Sequence, residues 1–345
     1  MKKYILFSIS LLVIVGCSSN KIKYAIKTFP INGSLVAKTI KTDCNLLKAE
    51  IIVTTDKHLI IFDDQKNDMF KIFELPSIHY QFSWGTTGKG PDEINYVDPK
   101  TIRVFNNRLV FQDGLKIKTA IVNNDSFKII KTKLLKPQPE LINGLVMIND
   151  SIFIIDKFSK SIFEHTYKNI NDDNISKDFG EYNDELNNSN FSDRYKAYRK
   201  MKAVKPDGEK FVVFYFFFNK FKLYNKNLKL LKEVIINNKN LNKSYSFKNH
   251  GIENIIYNAA PFATDKYIFV LNPNSSIKSI DNDLDTFKPQ LSVWDWEGNP
   301  IAKYELNKPI FSFTVSEKFS KIYATSSFTV NEIYEYELPK VLRTE

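Results

Sequence analysis

The sequence predicts an all-β protein: a six-bladed β-propeller of four-stranded antiparallel blades. Three observations predict it. First, a turn-forming polar residue or pair followed by a short apolar run recurs along the 345 residues. The runs are HLIIFD (58–63), RLVFQD (108–113), SIFIID (151–156), KFVVFYF (210–216) and KYIFVLN (266–272), with a weaker KIYATSS (321–327) last. Second, their starts are separated by 50, 43, 59, 56 and 55 residues, a period that suits propeller blades. Third, residues 200–236 parse as one complete unit of four short strands with tight turns. Pro206-Asp207-Gly208 is a turn in which Pro presets φ and Gly tolerates a positive one. Phe211 to Phe217 is an unbroken apolar run, as a strand buried on both faces requires. Such a meander cannot bury both faces alone and needs a copy on either side.

Composition agrees. Apolar residues make up 43% and aromatic residues 14% of the chain, with 28 Phe and 17 Tyr, enough for a packed strand-rich core. The net charge of +10 comes almost wholly from Lys, since only five of the 49 basic residues are Arg. Arg is the residue suited to bidentate phosphate and base recognition. Without a basic helix or a cationic cluster interleaved with aromatics, nucleic-acid binding is excluded as a function class.

The chain begins MKKYILFSISLLVIVGC. Lys2 and Lys3 precede an apolar run from Tyr4 to Val15, too short to span a bilayer as a helix. Ile14-Val15-Gly16-Cys17 resembles a bacterial lipobox, whose Cys thiol receives a diacylglycerol. The expected organisation is a signal peptide over 1–16, a lipidated tether over 17–34 and the propeller over 35–345. Two or three acyl chains on Cys17 anchor stably where one would not. Ser follows the Cys, with no acidic cluster nearby. By resemblance to diderm lipoproteins, this points to the outer membrane and the periplasmic side. Cys44 is then the one remaining thiol, too few for an internal disulfide.

Unit one places strands near 49–54, 58–63, 68–74 and 79–84. Trp84-Gly85-Thr86-Thr87-Gly88-Lys89-Gly90-Pro91-Asp92-Glu93-Ile94 follows. It is not a phosphate loop: Ser83 stands where the first Gly belongs, and Gly90 replaces the Ser/Thr. It reads as a tight glycine loop into the next blade. Gly88-x-Gly90-Pro91-x-Glu93-Ile94 resembles the G-x-G-P-G-E-F signature of the TolB-like six-bladed propeller lipoproteins of Bacteroidetes. Tyr198 to Lys232 is similar to that family's helical lead-in, Pro-Asp-Gly turn, apolar strand and hairpin. The likeness covers roughly 35–340, departing at Asp92 and at Asn225-Lys226-Asn227. It implies fold and address, and no chemistry.

Units two (101–135) and three (144–180) follow. Asn-rich 169–193 breaks the period, and SDRYKAYRKM (Ser192 to Met201) predicts a short helix with Ser as N-cap. Unit five spans 252–306, with LSVWDWEGNP (291–300) as third strand and turn. Unit six starts at Ile310 and shows three strands, ending at EIYEYEL (332–338). A strand near 35–42 is expected to supply its fourth and so remove the exposed edges.

The long segments 85–100, 136–143, 169–199, 237–253 and 273–290 all fall on the propeller face shared by inter-blade and second-to-third strand connections. Insertions gathered on one face mark a binding face. Candidate ligand contacts there are Trp84, Lys89, Glu93 and Tyr96, with His250 and Glu253. Glu93 has an alternative role, accepting backbone N–H bonds within its own glycine loop. His58 and His165 lie in strands and read as structural. No HExxH, no Cys/His cluster and no G-x-S-x-G occurs, so neither a metal nor a cofactor is expected. The function expected is a monomeric, lipid-anchored, non-catalytic module that binds an envelope protein, peptide or glycan. The alternative is a propeller hydrolase or lyase acting on a periplasmic sugar or lactone, with a divalent ion in the channel.

Overall fold

The computed structural model describes residues 23–90, 93–135, 143–158, 160–172, 174–182, 191–236, 245–247 and 251–343. Three short strands come first: β1 (Lys23–Ile26), β2 (Ile31–Leu35) and β3 (Lys38–Lys41). Blade one is β4 (Ala49–Thr54), β5 (His58–Asp63), β6 (Asn67–Glu74) and β7 (His79–Thr86). Blade two is β8 (Val97–Phe105), β9 (Arg108–Asp113), β10 (Lys116–Val122) and β11 (Phe127–Leu134). Blade three is β12 (Asn143–Met147), β13 (Ile152–Asp156), β14 (Phe163–Asn169) and β15 (Ser176–Glu181). Helix α1 (Phe191–Ala197) leads into blade four: β16 (Lys200–Val204), β17 (Lys210–Tyr215), β18 (Lys220–Asn225) and β19 (Leu230–Ile236). A two-residue strand, β20 (Ile255–Ile256), precedes blade five, whose first strands are β21 (Ala259–Ala263) and β22 (Tyr267–Asn272). Between its second and third strands lie β23 (Ser275–Ser276) and α2 (Ile277–Asn282); β24 (Gln290–Asp295) and β25 (Pro300–Leu306) complete it. Blade six is β26 (Ser312–Ser316), β27 (Lys321–Thr325) and β28 (Glu332–Glu337), with β3 antiparallel to β28 as its outermost strand. β3 then leads directly into β4, the innermost strand of blade one. There Ile52 N donates to Ser312 Oγ (3.1 Å) and the Thr54 and Thr314 hydroxyls meet at 3.1 Å.

The repeated apolar runs are explained by the seams. Successive residues of a strand point to opposite faces of its sheet. In β5, Leu59 and Ile61 pack toward blade six with Tyr323 and Ile333. Ile60 and Phe62 pack toward blade two with Leu109 and Phe111. Each sheet is therefore apolar on both faces, and a core fills each of the six junctions between neighbouring blades. Cys44 is buried in the junction of blades six and one, and burial, above all, pushes its thiol pKa up.

Residues 23–34, which read as tether in the sequence, carry β1 and most of β2. β1 runs parallel to β19 and β2 parallel to β25, each adding a fifth strand to its blade. Residues 23–41 thus pass along the outer strands of blades four, five and six in turn. Between β1 and β2, Phe29 is buried against Trp294, ring centroids 4.9 Å apart and nearly perpendicular. The side chains of β1 and β2 are mostly exposed, so these strands lack the alternating apolar signal; backbone pairing and Phe29 hold them.

Two other boundaries shift. The helix predicted to reach Met201 ends at Ala197, and Met201 lies in the innermost strand of blade four. The described residues 170–172, 174 and 175 lie between β14 and β15 on the tight-turn face, so the connection of blades three and four begins at 182 and not 169. β14 and β15 pair in register, which their polar sequence hides.

Candidate functional site

The long connections meet as the topology requires. β20, from the connection of blades four and five, pairs with β23, from the second-to-third strand loop of blade five. Asn331 and Leu46 exchange two hydrogen bonds across the corresponding loops of blades six and one. Arg194 of α1 donates to Ser161 O (3.0 Å). Of the exposed large hydrophobic residues among those described, eight stand in connections of this face: Leu47, Tyr96, Leu115, Ile162, Phe247, Ile252, Phe328 and Val330. Ile175 alone stands in a turn of the opposite face. Two aromatic ladders lead inward from this surface. Phe328, Phe311 and Phe287 contact in series at 5.1 and 5.5 Å, and Phe247, Tyr245 and Phe217 at 4.9 and 5.2 Å.

Phe311 also lines a cavity of about 870 Å³ at the hub, walled by the innermost strands of all six blades. The lining runs from loop-face residues such as Tyr96, Ile280 and Ser327 to tight-turn residues such as Asp56, Asn107 and Lys318, so the cavity traverses the hub.

The last residue of the second strand has a recurring task in blades one, two and five. Asp63 accepts from Leu47 N (3.2 Å) and from Lys48 N, and Asp113 accepts from Asn95 N and Tyr96 N, both at 2.9 Å. Asn272 donates to Tyr257 O at 2.8 Å. Each ties down the loop entering its own blade. Blades three, four and six depart from this; in blade six the Thr325 hydroxyl has no hydrogen-bond partner among the described residues. Asp156 instead pairs with Lys202 of the next blade (2.6 Å) and with His165 Nδ1 (3.1 Å). Tyr215, at the equivalent place in blade four, donates its hydroxyl to Glu164 (2.8 Å). Glu164 also faces Lys200 (3.1 Å) and Lys222 (2.7 Å), and all of these groups are buried.

Burial would raise both carboxyls, but the lysines outweigh it. Lys202, with His165 and Lys200, holds Asp156 well below the usual carboxylate range. Lys200 and Lys222 hold Glu164 down at about 2. Burial pushes His165 down to about 4 despite its bond to Asp156, so the ring is neutral at pH 7. Its Nε2 has no hydrogen-bond partner among the described residues. Three lysines against two carboxylates leave one surplus positive charge inside this seam. Gly144 is required here: its φ is +59°, and a Cβ would stand 2.1 Å from Asp156 Oδ2.

The residues singled out from the sequence do not converge. Trp84 lies on β7 and stacks on Phe127 at 4.0 Å, closing the seam of blades one and two. Glu93 accepts from Gly90 N (2.6 Å), and its carboxylate fills the space beside Gly88, where a Cβ would sit 1.9 Å from Oε2. It therefore acts within its own loop, and Lys118 fixes its carbonyl (3.0 Å). Lys89 and Tyr96 are exposed on the loop face, and Tyr96 also lines the cavity. Glu253 pairs with Lys278 (3.2 Å), joining the two loops that carry β20 and β23. His250 and Cys17 lie outside the described residues. The Asp156–His165–Lys202 cluster was missed by sequence reasoning. Its one legible trace is two Lys at alternate positions, 200 and 202, of an innermost strand. Among the described residues no group of three His, Cys, Asp or Glu is placed to hold a metal ion.

None of the curated proteins matches the chain. Among solved structures it is similar to a DUF4221 family member from Bacteroides vulgatus: TM-score 0.59, 11% identity, covering 88% of this chain and 97% of that one. It is also similar to a presumed exported protein of Bacteroides fragilis: TM-score 0.51, 12% identity, covering 91% and 98%. At these identities the likeness is one of fold. The model of the TolB-like 6-blade propeller-like family matches residues 34–318, most of the chain. The ring of six blades and this match agree, and the chain belongs to the TolB-like six-blade propeller family.

Proposed function

We propose that this protein is an exported, lipid-anchored binding module of the cell envelope, which engages a protein, peptide or glycan through its loop-rich face without catalysing a reaction. The observation that carries the reading is the concentration of exposed apolar side chains in the connections of one face, eight there against Ile175 in a turn of the other, with aromatic ladders leading inward from them. Apolar surface left exposed and rimmed by polar groups is typical of interaction sites. The address rests on the lipobox-like Ile14-Val15-Gly16-Cys17 and on the likeness to a presumed exported protein.

Capture from solubilised envelope tests the face. The wild-type chain is compared with a Tyr96→Ser, Phe247→Ser, Phe328→Ser variant, whose replaced side chains are 64%, 42% and 50% exposed. A second variant alters the tight-turn face at Lys57 and Lys226. Loss of captured material in the first variant alone is expected; equal capture by all three chains would rule the loop face out. Cys17→Ser should abolish incorporation of labelled palmitate, and labelling that persists would sink the anchor.

A further inference from the structure

We propose that the hub cavity is a tunnel for one straight apolar chain with an uncharged head, the chemistry of a long-chain alcohol or ester. Binding there is separate from the docking of a macromolecule on the loop face and does not depend on it.

The cavity, at about 870 Å³, is of the size that holds small organic ligands, and it has a mouth on each face of the ring. Each innermost strand enters at the loop face and leaves at the tight-turn face, so position along the strand gives depth. Between the mouths every blade offers an apolar side chain: Ile52, Ile102, Leu145, Met201, Phe262 and Phe313. The hydroxyls at this depth are already engaged. Ser312 Oγ accepts from Ile52 N (3.1 Å), Thr54 and Thr314 bond each other (3.1 Å), and Thr101 donates to Asp98 O (2.7 Å).

The charges of the lining stand at the mouths or turn into the seams. Glu50, Asp98 and Lys100 lie at the loop-face mouth, and Asp56, Lys205, Glu317 and Lys318 at the other. Lys200 and Lys202 bury their ammonium groups against Glu164 and Asp156. Arg103 reaches the crevice between blades two and three, shared with Asn149 and Asp150, where its Nη2 is shielded from solvent. Each mouth thus carries both signs and selects neither an anion nor a cation.

Blade five makes the room. Its innermost strand, β21, reads Ala-Ala-Pro-Phe-Ala. All five residues line the cavity and are half-buried, whereas every residue of β26 in the next blade is buried. Pro261 cannot donate to the ladder, and the register with β22 slips between Ala259 and Phe262. At the slip Ala260 holds a φ of +42°, rare for a residue with a Cβ, and its N–H is taken by Met201 Sδ of blade four (3.2 Å). Strained backbone of this kind gathers at ligand sites.

Apolar lining left to water is unfavourable, and a roomy apolar cavity takes up apolar ligands. A tunnel with polar rims suits a chain whose head stays at a mouth in water. Phe311, the inner partner of Phe328, lines the loop end of the cavity and gives the chain an apolar way in.

The test is photolabelling of the full chain in lipid nanodiscs with an eight-carbon alcohol that carries a diazirine at its chain end. Labelled residues are read by mass spectrometry. Competitors are hexan-1-ol, octan-1-ol, octanoate and octan-1-amine, compared at equal free aqueous concentration. Label is expected on β16, β21 and β26. Octan-1-ol should compete more strongly than hexan-1-ol by roughly fourfold for each added methylene, and neither charged competitor should exceed octan-1-ol. Ala263→Phe, which fills the tunnel, should abolish displaceable labelling. Val104→Thr, which makes a half-buried wall position polar at nearly constant size, should weaken competition several-fold. Label confined to loop-face residues such as Phe247 and Phe328 would overturn the proposal. So would equal competition by the two alcohols, a charged competitor ten times stronger than octan-1-ol, or undiminished labelling in both variants.

Discussion

His165 makes the stability of this protein fall on mild acidification. In the folded chain its ring is fully buried, and its pKa is held down at about 4 by burial first, with the bond to Asp156 opposing. In the unfolded chain a His titrates near 6.5. Below that value the unfolded chain takes up a proton that the folded chain refuses. Stability is therefore complete above pH 6.5 and declines as pH drops toward 4. The decline approaches about 1.4 kcal/mol per pH unit and totals about 3 kcal/mol, a large part of a typical domain's 5–15 kcal/mol. His58, also lowered by burial, adds in the same direction. Asp156 and Glu164 do not obscure the window, since their depressed values withdraw stability only below about pH 4. The assay is urea unfolding at pH 7, 6, 5 and 4, followed by tryptophan fluorescence. His165→Asn keeps a donor for Asp156 and does not titrate. Its stability should fall less steeply over this range, converging on wild type toward pH 4. Parallel decline of the two proteins would refute the assignment, because the proton would then be entering elsewhere.

The same seam and the rim give two further predictions. Glu164→Gln leaves Lys200 and Lys222 buried without their carboxylate and should cost about 3–5 kcal/mol in the same unfolding assay at pH 7; a cost under about 1 kcal/mol would mean the lysines find other partners. Phe29→Ala empties the site beside Trp294 and should cost about 3 kcal/mol. It should also expose residues 23–35 to limited proteolysis while leaving the propeller uncut, and a protease-resistant variant would show that backbone pairing alone holds β1 and β2.

The sequence by itself determined the ring. A blade buries both faces of its sheet, so each second strand must be apolar at nearly every position, and HLIIFD, SIFIID and KYIFVLN carry that demand openly. It also placed the long connections on one face, because strand order within a blade fixes which ends meet. The Gly88–Glu93 loop was legible as a turn whose carboxylate bonds its own backbone, since its partner Gly90 lies only three residues away. The tertiary structure alone decided the rest. Whether Asp156 ties down its own loop or pairs across the seam depends on Lys202, 46 residues away and on another blade. Trp84 reads as a surface contact until Phe127 is brought onto its ring. Arg103 is one of five arginines in the sequence, and only the packing of blades two and three shields its Nη2 from solvent. Local spacing sets which residues a strand offers to each face. What meets them there is set by ring closure and by the register between blades, which no short stretch of chain encodes.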